Sequence, residues 1–320
     1  MNVLVTGGAG FIGSHFIQML LEREPGVNVV CLDDFNDFYD PALKRANAAL
    51  FAADKRVRIV EASFCEPAAM RQLLAEHKVR QIVHLGAYGG IRASIENPFR
   101  YEETNVRGTL SLLNATRVWP VDKFLIISSS TVYGQGAQVP FQEDAPLGAP
   151  LSPYGVTKRA AELLGLNYHQ LHQVPVVCLR LFSVYGPRMR PDLAMQVFAS
   201  SIAQGLPVPL YGNGSIRRDF THVSDICEGL LSALRTQTIS GQTINLGRDE
   251  PIAIRDLIVL LEDALGKKAV IDQREPFAGD MLITCADLTK AQQLLGYQPK
   301  IALPEGVRDF AAWFRRTTGR

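Results

Sequence analysis

The chain has 320 residues, 47% of them hydrophobic and 20% charged, which suits two domains or one large α/β domain with a lobe and a core that needs no staples. Its 33 Lys and Arg against 32 Asp and Glu leave a formal net charge of +1, which argues against a nucleic-acid binder because phosphates are offered no basic excess. No apolar run reaches the roughly 18 residues of a membrane span, the chain opens into M-N-V-L-V-T-G-G instead of a leader, and five scattered cysteines (Cys31, Cys65, Cys178, Cys227, Cys285) form no C-x-x-C, so reduced thiols and a cytoplasmic address are expected.

In chain order, strands are predicted at 2–6, 27–32, 57–60, 81–85, 123–128, 175–181 and 242–246. Several are continuous β-branched runs, the mark of parallel strands buried on both faces. Helical patterns at 11–23, 67–77, 98–118 and 153–172 lie between them. Repeated strand–helix alternation predicts an α/β fold with a doubly wound parallel sheet of the Rossmann type. After about residue 183 Pro and Gly become frequent, and helices at 192–204, 223–236, 254–265, 287–295 and 304–317 dominate. The expected organisation is a nucleotide-binding domain over 1–182, with the strand near 242–246 returning to it. A smaller, mostly helical and discontinuous lobe would occupy 183–320.

The first strand runs into V-T-G-G-A-G-F-I-G-S-H, placing Gly7, Gly10 and Gly13 at a strand-to-helix turn. Glycine there lets backbone N–H groups approach a pyrophosphate at a helix N-terminus. Asp33 follows 20 residues after Gly13, at the end of the second strand. An acid at that place accepts hydrogen bonds from the adenosine ribose and repels a 2′-phosphate, so NAD is expected rather than NADP.

The fifth strand ends in S-S-S-T-V-Y-G, and S-P-Y-G-V-T-K then sets Tyr154 and Lys158 four apart, on one helix face. A phenol near pKa 10 is a poor base at neutral pH, and a neighbouring ammonium favours its phenolate. Tyr154 is therefore a candidate general base with Lys158 as its electrostatic support. His169 and His172 have no acid or Cys at ligand spacing, and no metal site is expected.

These motifs, in this order and along essentially the whole chain, resemble the extended short-chain dehydrogenase/reductase family. Within it the segments D-D-F-N-D-F-Y-D-P-A-L-K-R-A (33–46), G-I-R-A-S-I-E-N-P (90–98) and Y-G-P-R-M-R-P-D-L-A (185–194) are most similar to the UDP-glucuronate 4-epimerases. The resemblance implies a tightly held NAD. Tyr154 would take the proton of the sugar's 4-hydroxyl as hydride leaves carbon 4, and Ser129 would bridge hydroxyl and tyrosine, with Ser130 beside it. The 4-keto sugar would then turn and regain hydride on its other face. Cofactor contacts carried over are Gly7, Gly10, Phe11, Ile12, Gly13, Asp33, Asn36, Ser63, Leu85, Ala87 and Asn105, with Tyr154 and Lys158.

On the substrate side the resemblance assigns Arg218 to the UDP diphosphate, Tyr211 to the uracil, Asp280 to the uridine ribose and Arg92 to the sugar. Arg190 and Ser183 would hold the uronate carboxylate, with Ser130 and Thr131 as hydroxyl donors and Arg188 as the competing cation. It also implies a homodimer built on the helices 98–118 and 153–172. Related decarboxylases carry a Glu, and 4,6-dehydratases an Asp-Glu pair, where this chain has Ser130 and Thr131. Both absences favour retention of the carboxylate. The alternatives are a neutral UDP-hexose 4-epimerase, a UDP-glucuronate decarboxylase and a non-catalytic NAD-binding regulator. Three departures from the family pattern stand out. Ser63 replaces an Asp that meets adenine, Ala93 follows Arg92 where an aromatic is expected, and the R-E-P-F-A-G-D segment lacks an arginine for which Arg274 is the nearby candidate.

Overall fold

The strands in the middle of the chain's first sheet are buried on both faces, while the edge strand at 57–61 is only partly buried. The structure, a computed structural model, describes residues 1–275 and 281–319. Strands β1 (Asn2–Thr6), β2 (Asn28–Asp33), β3 (Val57–Glu61), β4 (Gln81–His84), β5 (Lys123–Ser129) and β6 (Val176–Leu181) alternate with helices. The helices are α1 (Phe11–Arg23), α2 (Pro41–Ala49), α3 (Pro67–Glu76), α4 (Ile91–Glu96), α5 (Pro98–Tyr101), α6 (Gly108–Val118) and α7 (Pro153–His172).

The remainder contains β7 (Ser183–Tyr185), α8 (Ala194–Gln204), β8 (Pro207–Tyr211), β9 (Arg217–His222), α9 (Val223–Arg235), β10 (Thr243–Leu246), β11 (Pro251–Ala253), α10 (Ile254–Leu265), β12 (Val270–Arg274), α11 (Thr289–Leu295) and α12 (Leu303–Thr318). Among the described residues no helix is long and apolar enough to cross a membrane.

All seven predicted strands join one parallel sheet in the order β10-β6-β5-β4-β1-β2-β3. The strand near 242–246 does return, pairing with β6 through Ile244 and Leu179. Val3, Val5, Val83, Leu125 and Val177 face one core, with α1 and α9, and Leu4, Ile82, Phe124, Ile126 and Val176 face the other, with α3 and α6. Each fully buried aliphatic side chain contributes about 1.5–3 kcal/mol. The strand order reverses between β1 and β4, the switch point whose crevice, outside the C-terminal ends of the strands, is where doubly wound sheets bind ligands.

Three local findings differ from the sequence reading. Helix α2 was not predicted, although Asp40 caps it through the Ala42 N–H (2.9 Å) and Pro41 opens it. The predicted 98–118 helix contains a π-helical turn at Glu102–Arg107, which swings Asn105 inward. The segment after 183 also holds two small sheets, β11-β9-β7 and β12-β8, besides its helices. Their short strands contain Pro and Gly and carry little periodicity.

Candidate active site

The crevice begins with glycine. Gly7 turns after β1 in the left-handed region (φ +63°), and a Cβ there would meet the Cα of Gly86, just beyond β4, at 2.9 Å. A Cβ on Gly13 would lie 2.2 Å from the Gly7 carbonyl oxygen, so only glycine lets α1 start this close to the turn. Gly10 caps α1 with no side-chain hydrogen bond, leaving the first-turn N–H groups of Phe11 and Ile12 without a side-chain partner. Beside it, the buried Asp33 carboxylate accepts from the N–H groups of Ala9 (3.1 Å) and Phe35 (3.0 Å). Burial raises its pKa, and Lys44, 4.0 Å away, opposes that.

Lys44 escaped the sequence reading. It is buried and donates to the backbone and side-chain oxygens of Asn36 (3.1 and 3.0 Å), tying Asn36 to Asp33. Ser63 accepts from the Cys65 N–H (3.1 Å), which turns its oxygen into its own loop. Leu85 and Ala87 flank Gly86, whose N–H donates to Thr6 (3.0 Å).

A hydrogen-bonded chain fixes the floor under the catalytic candidates. Thr109 donates to the Asn105 carbonyl (2.6 Å), so its oxygen receives the Nε2–H of His84 (3.0 Å) and the His84 Nδ1 accepts from Thr6 (2.7 Å). Burial, then the charge of Lys158, lowers the His84 pKa to about 3. The Asn105 side chain accepts from the Tyr88 N–H (2.8 Å) and donates to the Tyr88 carbonyl (3.0 Å) and to Thr157 (3.1 Å). Thr157 donates to the Tyr154 carbonyl (2.9 Å). The π-turn thereby couples the loop after β4 to α7.

Helix α7 starts at a Ser152 cap, whose oxygen receives the Gly155 N–H (3.2 Å), and presents Tyr154 in its first turn. Burial raises the Tyr154 pKa, while a hydrogen bond with Ser129 and the charge of Arg190 pull it down. The Ser129 oxygen already accepts from the Thr131 N–H (3.2 Å) and hydroxyl (3.0 Å), so its own proton is free for Tyr154 or a substrate hydroxyl. In this arrangement Thr131 serves Ser129. Lys158 is buried one turn on, and its pKa falls to about 8 because burial outweighs the favourable field of Glu162. Glu162 itself pairs with Arg180 through two 2.9 Å bonds.

The substrate-side candidates form two groups. In the first, the Tyr101 ring meets the Tyr154 ring edge-on at 6.2 Å, and Tyr101 donates to the Gly89 carbonyl (2.8 Å). The Arg190 guanidinium lies against Gly89 and pairs with Asp192. Arg188 faces away, with Nε on the His15 ring of α1 (3.1 Å), which separates the two competing arginines. Ser183 opens β7 directly after β6, and Ser130 is buried in the turn after Ser129.

In the second group, Arg92 lies 3.9 Å over the Tyr211 ring and donates to its hydroxyl (2.7 Å), and Arg274 reaches the same hydroxyl at 3.5 Å. Arg274 therefore stands at the rim, where the sequence left it only as a candidate. Arg218 donates to the carbonyls of Arg217 (2.9 Å) and Met281 (2.7 Å). Asp280 lies outside the described residues. Among the described residues no group of His, Cys, Asp or Glu could hold a metal ion.

The family described as GDP-mannose 4,6 dehydratase matches residues 4–310. A UDP-glucuronate 4-epimerase from Thermodesulfobacterium geofontis is 36% identical over 311 residues, 97% of this chain and 95% of its own. Among solved structures, the UDP-glucuronic acid 4-epimerase of Bacillus cereus in complex with UDP-glucuronic acid and NAD aligns with a TM-score of 0.93 at 36% identity, over 99% of this chain and 100% of that one. A dTDP-glucose 4,6-dehydratase from Streptomyces venezuelae, with NAD bound, reaches the same 0.93 at 31% identity, over 100% of this chain and 98% of that one. The backbone alone does not separate an epimerase from a dehydratase, so the side chains must.

Proposed function

The chain belongs to the extended short-chain dehydrogenase/reductase family, and on that premise we propose that it is a UDP-glucuronate 4-epimerase that interconverts UDP-glucuronate and UDP-galacturonate with bound NAD. One observation carries the choice of substrate. A guanidinium, Arg190, stands in the group that surrounds Tyr154, while the turn Ser129–Ser130–Thr131 holds hydroxyls and no acid. A carboxylate on carbon 6 meets a cation there, and no carboxyl side chain is placed in that turn to carry the sugar on to elimination.

The crevice suits the cofactor: the uncapped α1 N-terminus offers N–H groups to a pyrophosphate, and Asp33 offers an acceptor to the ribose. NAD, when bound, supplies a reversible hydride acceptor at carbon 4 of the sugar. Tyr154 takes the proton of the 4-hydroxyl and later returns it, and Lys158 stabilises the phenolate. Ser129 passes its free proton between the sugar oxygen and Tyr154. Arg190 and Ser183 hold the carboxylate so that its bond to carbon 5 stays out of the perpendicular alignment in which a 4-keto uronate loses CO₂. Arg218, Tyr211 and Arg92 hold the nucleotide, with Arg274 beside them.

Residues 1–182 together with β10 form the cofactor domain, and the rest of 183–320 the substrate lobe. The protein acts as a cytoplasmic homodimer. Supporting the dimer, exposed Val156, Leu163 and Leu171 on α7 and Leu110 and Val118 on α6 form apolar stripes that a second copy would bury. The epimerisation is tested with UDP-glucuronate deuterated at carbon 4. The proposal predicts UDP-galacturonate that retains the label, with no accumulation of NADH. Loss of the label to solvent would overturn it.

A further inference from the structure

The segment that joins β2 to α2 reads D-D-F-N-D-F-Y-D (33–40), and beyond Asp33 it has no helix or strand of its own. It is nevertheless stiff. Its short polar side chains accept from backbone N–H groups two residues on: Asp33 from Phe35 (3.0 Å), Asp34 from Asn36 (3.2 Å), Asn36 from Phe38 (3.1 Å) and Asp40 from Ala42 (2.9 Å). Each is an Asx turn, in which the side chain does the work of a backbone carbonyl. From α2, Lys44 adds two bonds to Asn36 and lies 5.0 Å from the centre of the Tyr39 ring.

The tip of this loop reaches well beyond its own strand. Asp37 pairs with Arg100 on α5, and the Arg100 guanidinium lies 4.4 Å from the centre of the Tyr88 ring. Phe38 meets the same Tyr88 edge-on at 5.1 Å. Tyr88 belongs to the loop after β4, where Asn105 holds its backbone. In the sheet β1 separates β2 from β4, so those two strands stand about 10 Å apart. The loop after β2 therefore spans the C-terminal end of β1, where Gly7 turns toward α1. A dinucleotide with its adenosine ribose at Asp33 and its pyrophosphate at the start of α1 would lie between the glycine turn and this loop.

Resting on NAD as the cofactor and not on the choice of sugar, we propose that residues 34–40 are a strap that gates passage of the dinucleotide, with Asp37 and Phe38 latching it to Arg100 and Tyr88. The latch joins protein groups to one another, so opening it is a barrier to entry and exit alike. Such a barrier suits a reaction in which the reduced cofactor must stay in place while the keto sugar turns.

The test is exchange of NAD on the purified holoprotein, without any sugar. Release is followed by chasing radiolabelled NAD with unlabelled NAD, the dissociation constant is read by equilibrium dialysis, and the two together give the entry rate. Phe38→Ala should speed release and entry about tenfold, the scale of a lost ring pair. Asp37, whose side chain is 81% exposed, can be changed without touching the core, and Asp37→Asn should speed both rates about two- to fivefold, the range of an exposed ion pair. In an Arg100→Met background Asp37→Asn should add nothing. The dissociation constant should change by less than either rate. Arg80→Met breaks an exposed pair with Asp122 ahead of β4 and β5, at the opposite end of the sheet, and should exchange NAD like the wild type.

Release left unchanged by both Phe38→Ala and Asp37→Asn would show that the strap is no barrier. A dissociation constant that weakens by the same factor as release speeds would make these residues part of the binding site itself, and an equal effect of Arg80→Met would mark a general softening of the fold; each overturns the gate. A wild type that holds no NAD would sink the cofactor reading, and the strap with it.

Discussion

Two arginine–carboxylate pairs, one beneath the helix that carries Tyr154 and one in the turn before α8, share the same chemistry and differ in burial. Arg180 and Glu162 are 5% and 3% exposed, and Arg180 stacks on Tyr133. Arg190 and Asp192 are 21% and 39% exposed, so this pair stands partly open to solvent. Burial on every side makes a pair structural, because removing one partner strands a charge. Partial exposure leaves a charged edge for a ligand. The same division runs through the molecule: the floor is wired by internal hydrogen bonds, whereas the rim carries its arginines on short elements, Arg92 on α4, Arg218 on β9 and Arg274 at the end of β12, with Arg190 in the turn before α8.

The sharpest way to set floor against rim is to remove single groups. Tyr154→Phe should lower turnover by about 10²–10⁴-fold while NAD and UDP-sugar binding persist; unchanged turnover would remove Tyr154 from the chemistry. Gly13→Ala, which forces a methyl onto the Gly7 carbonyl, should strip bound NAD and lower the melting temperature, as absorbance of the released cofactor and a thermal melt will show. Arg180→Met should destabilise the fold by about 3–5 kcal/mol in urea denaturation, because Glu162 is left buried and alone. Arg190→Met should leave stability within about 1 kcal/mol, yet raise KM for UDP-glucuronate about ten- to a hundredfold, the worth of hydrogen bonds to a charged group. Equal destabilisation by the two arginine variants would erase the contrast.

A further prediction concerns pH. Burial lowers the pKa of His84 to about 3, and burial with Arg188 does the same for His15, against an ordinary 6.5. Between those values the unfolded chain binds protons that the folded chain refuses. Stability should therefore fall as pH drops below about 6.5, by up to ~1.4 kcal/mol per pH unit for each histidine. Urea midpoints at several pH values will show whether His84→Asn flattens that slope.

The floor was legible in the sequence because backbone chemistry leaves residue-level marks. The seven strands, Gly7, Gly13, Asp33, Tyr154 and Lys158 follow from periodicity and spacing. The rim was less so. The strands β8 and β12 are short and hold prolines or lie exposed, so no alternation betrays them. Lys44 and Arg274 act through partners distant in sequence, Asp33 and Tyr211, which no local pattern reveals. Helix α2 was different, since Asp40-Pro41 was a readable start signal. The π-turn at Asn105 is a tertiary effect, imposed by the bonds to Tyr88 and Thr157.

The account turns on a carboxylate that is recognised and retained. Purified protein incubated overnight with UDP-glucuronate, without added NAD, and analysed by chromatography with mass spectrometry tests that directly. The predicted result is a new peak of unchanged mass that co-elutes with UDP-galacturonate. A product lighter by CO₂, or conversion of UDP-glucose with UDP-glucuronate left untouched, would contradict it.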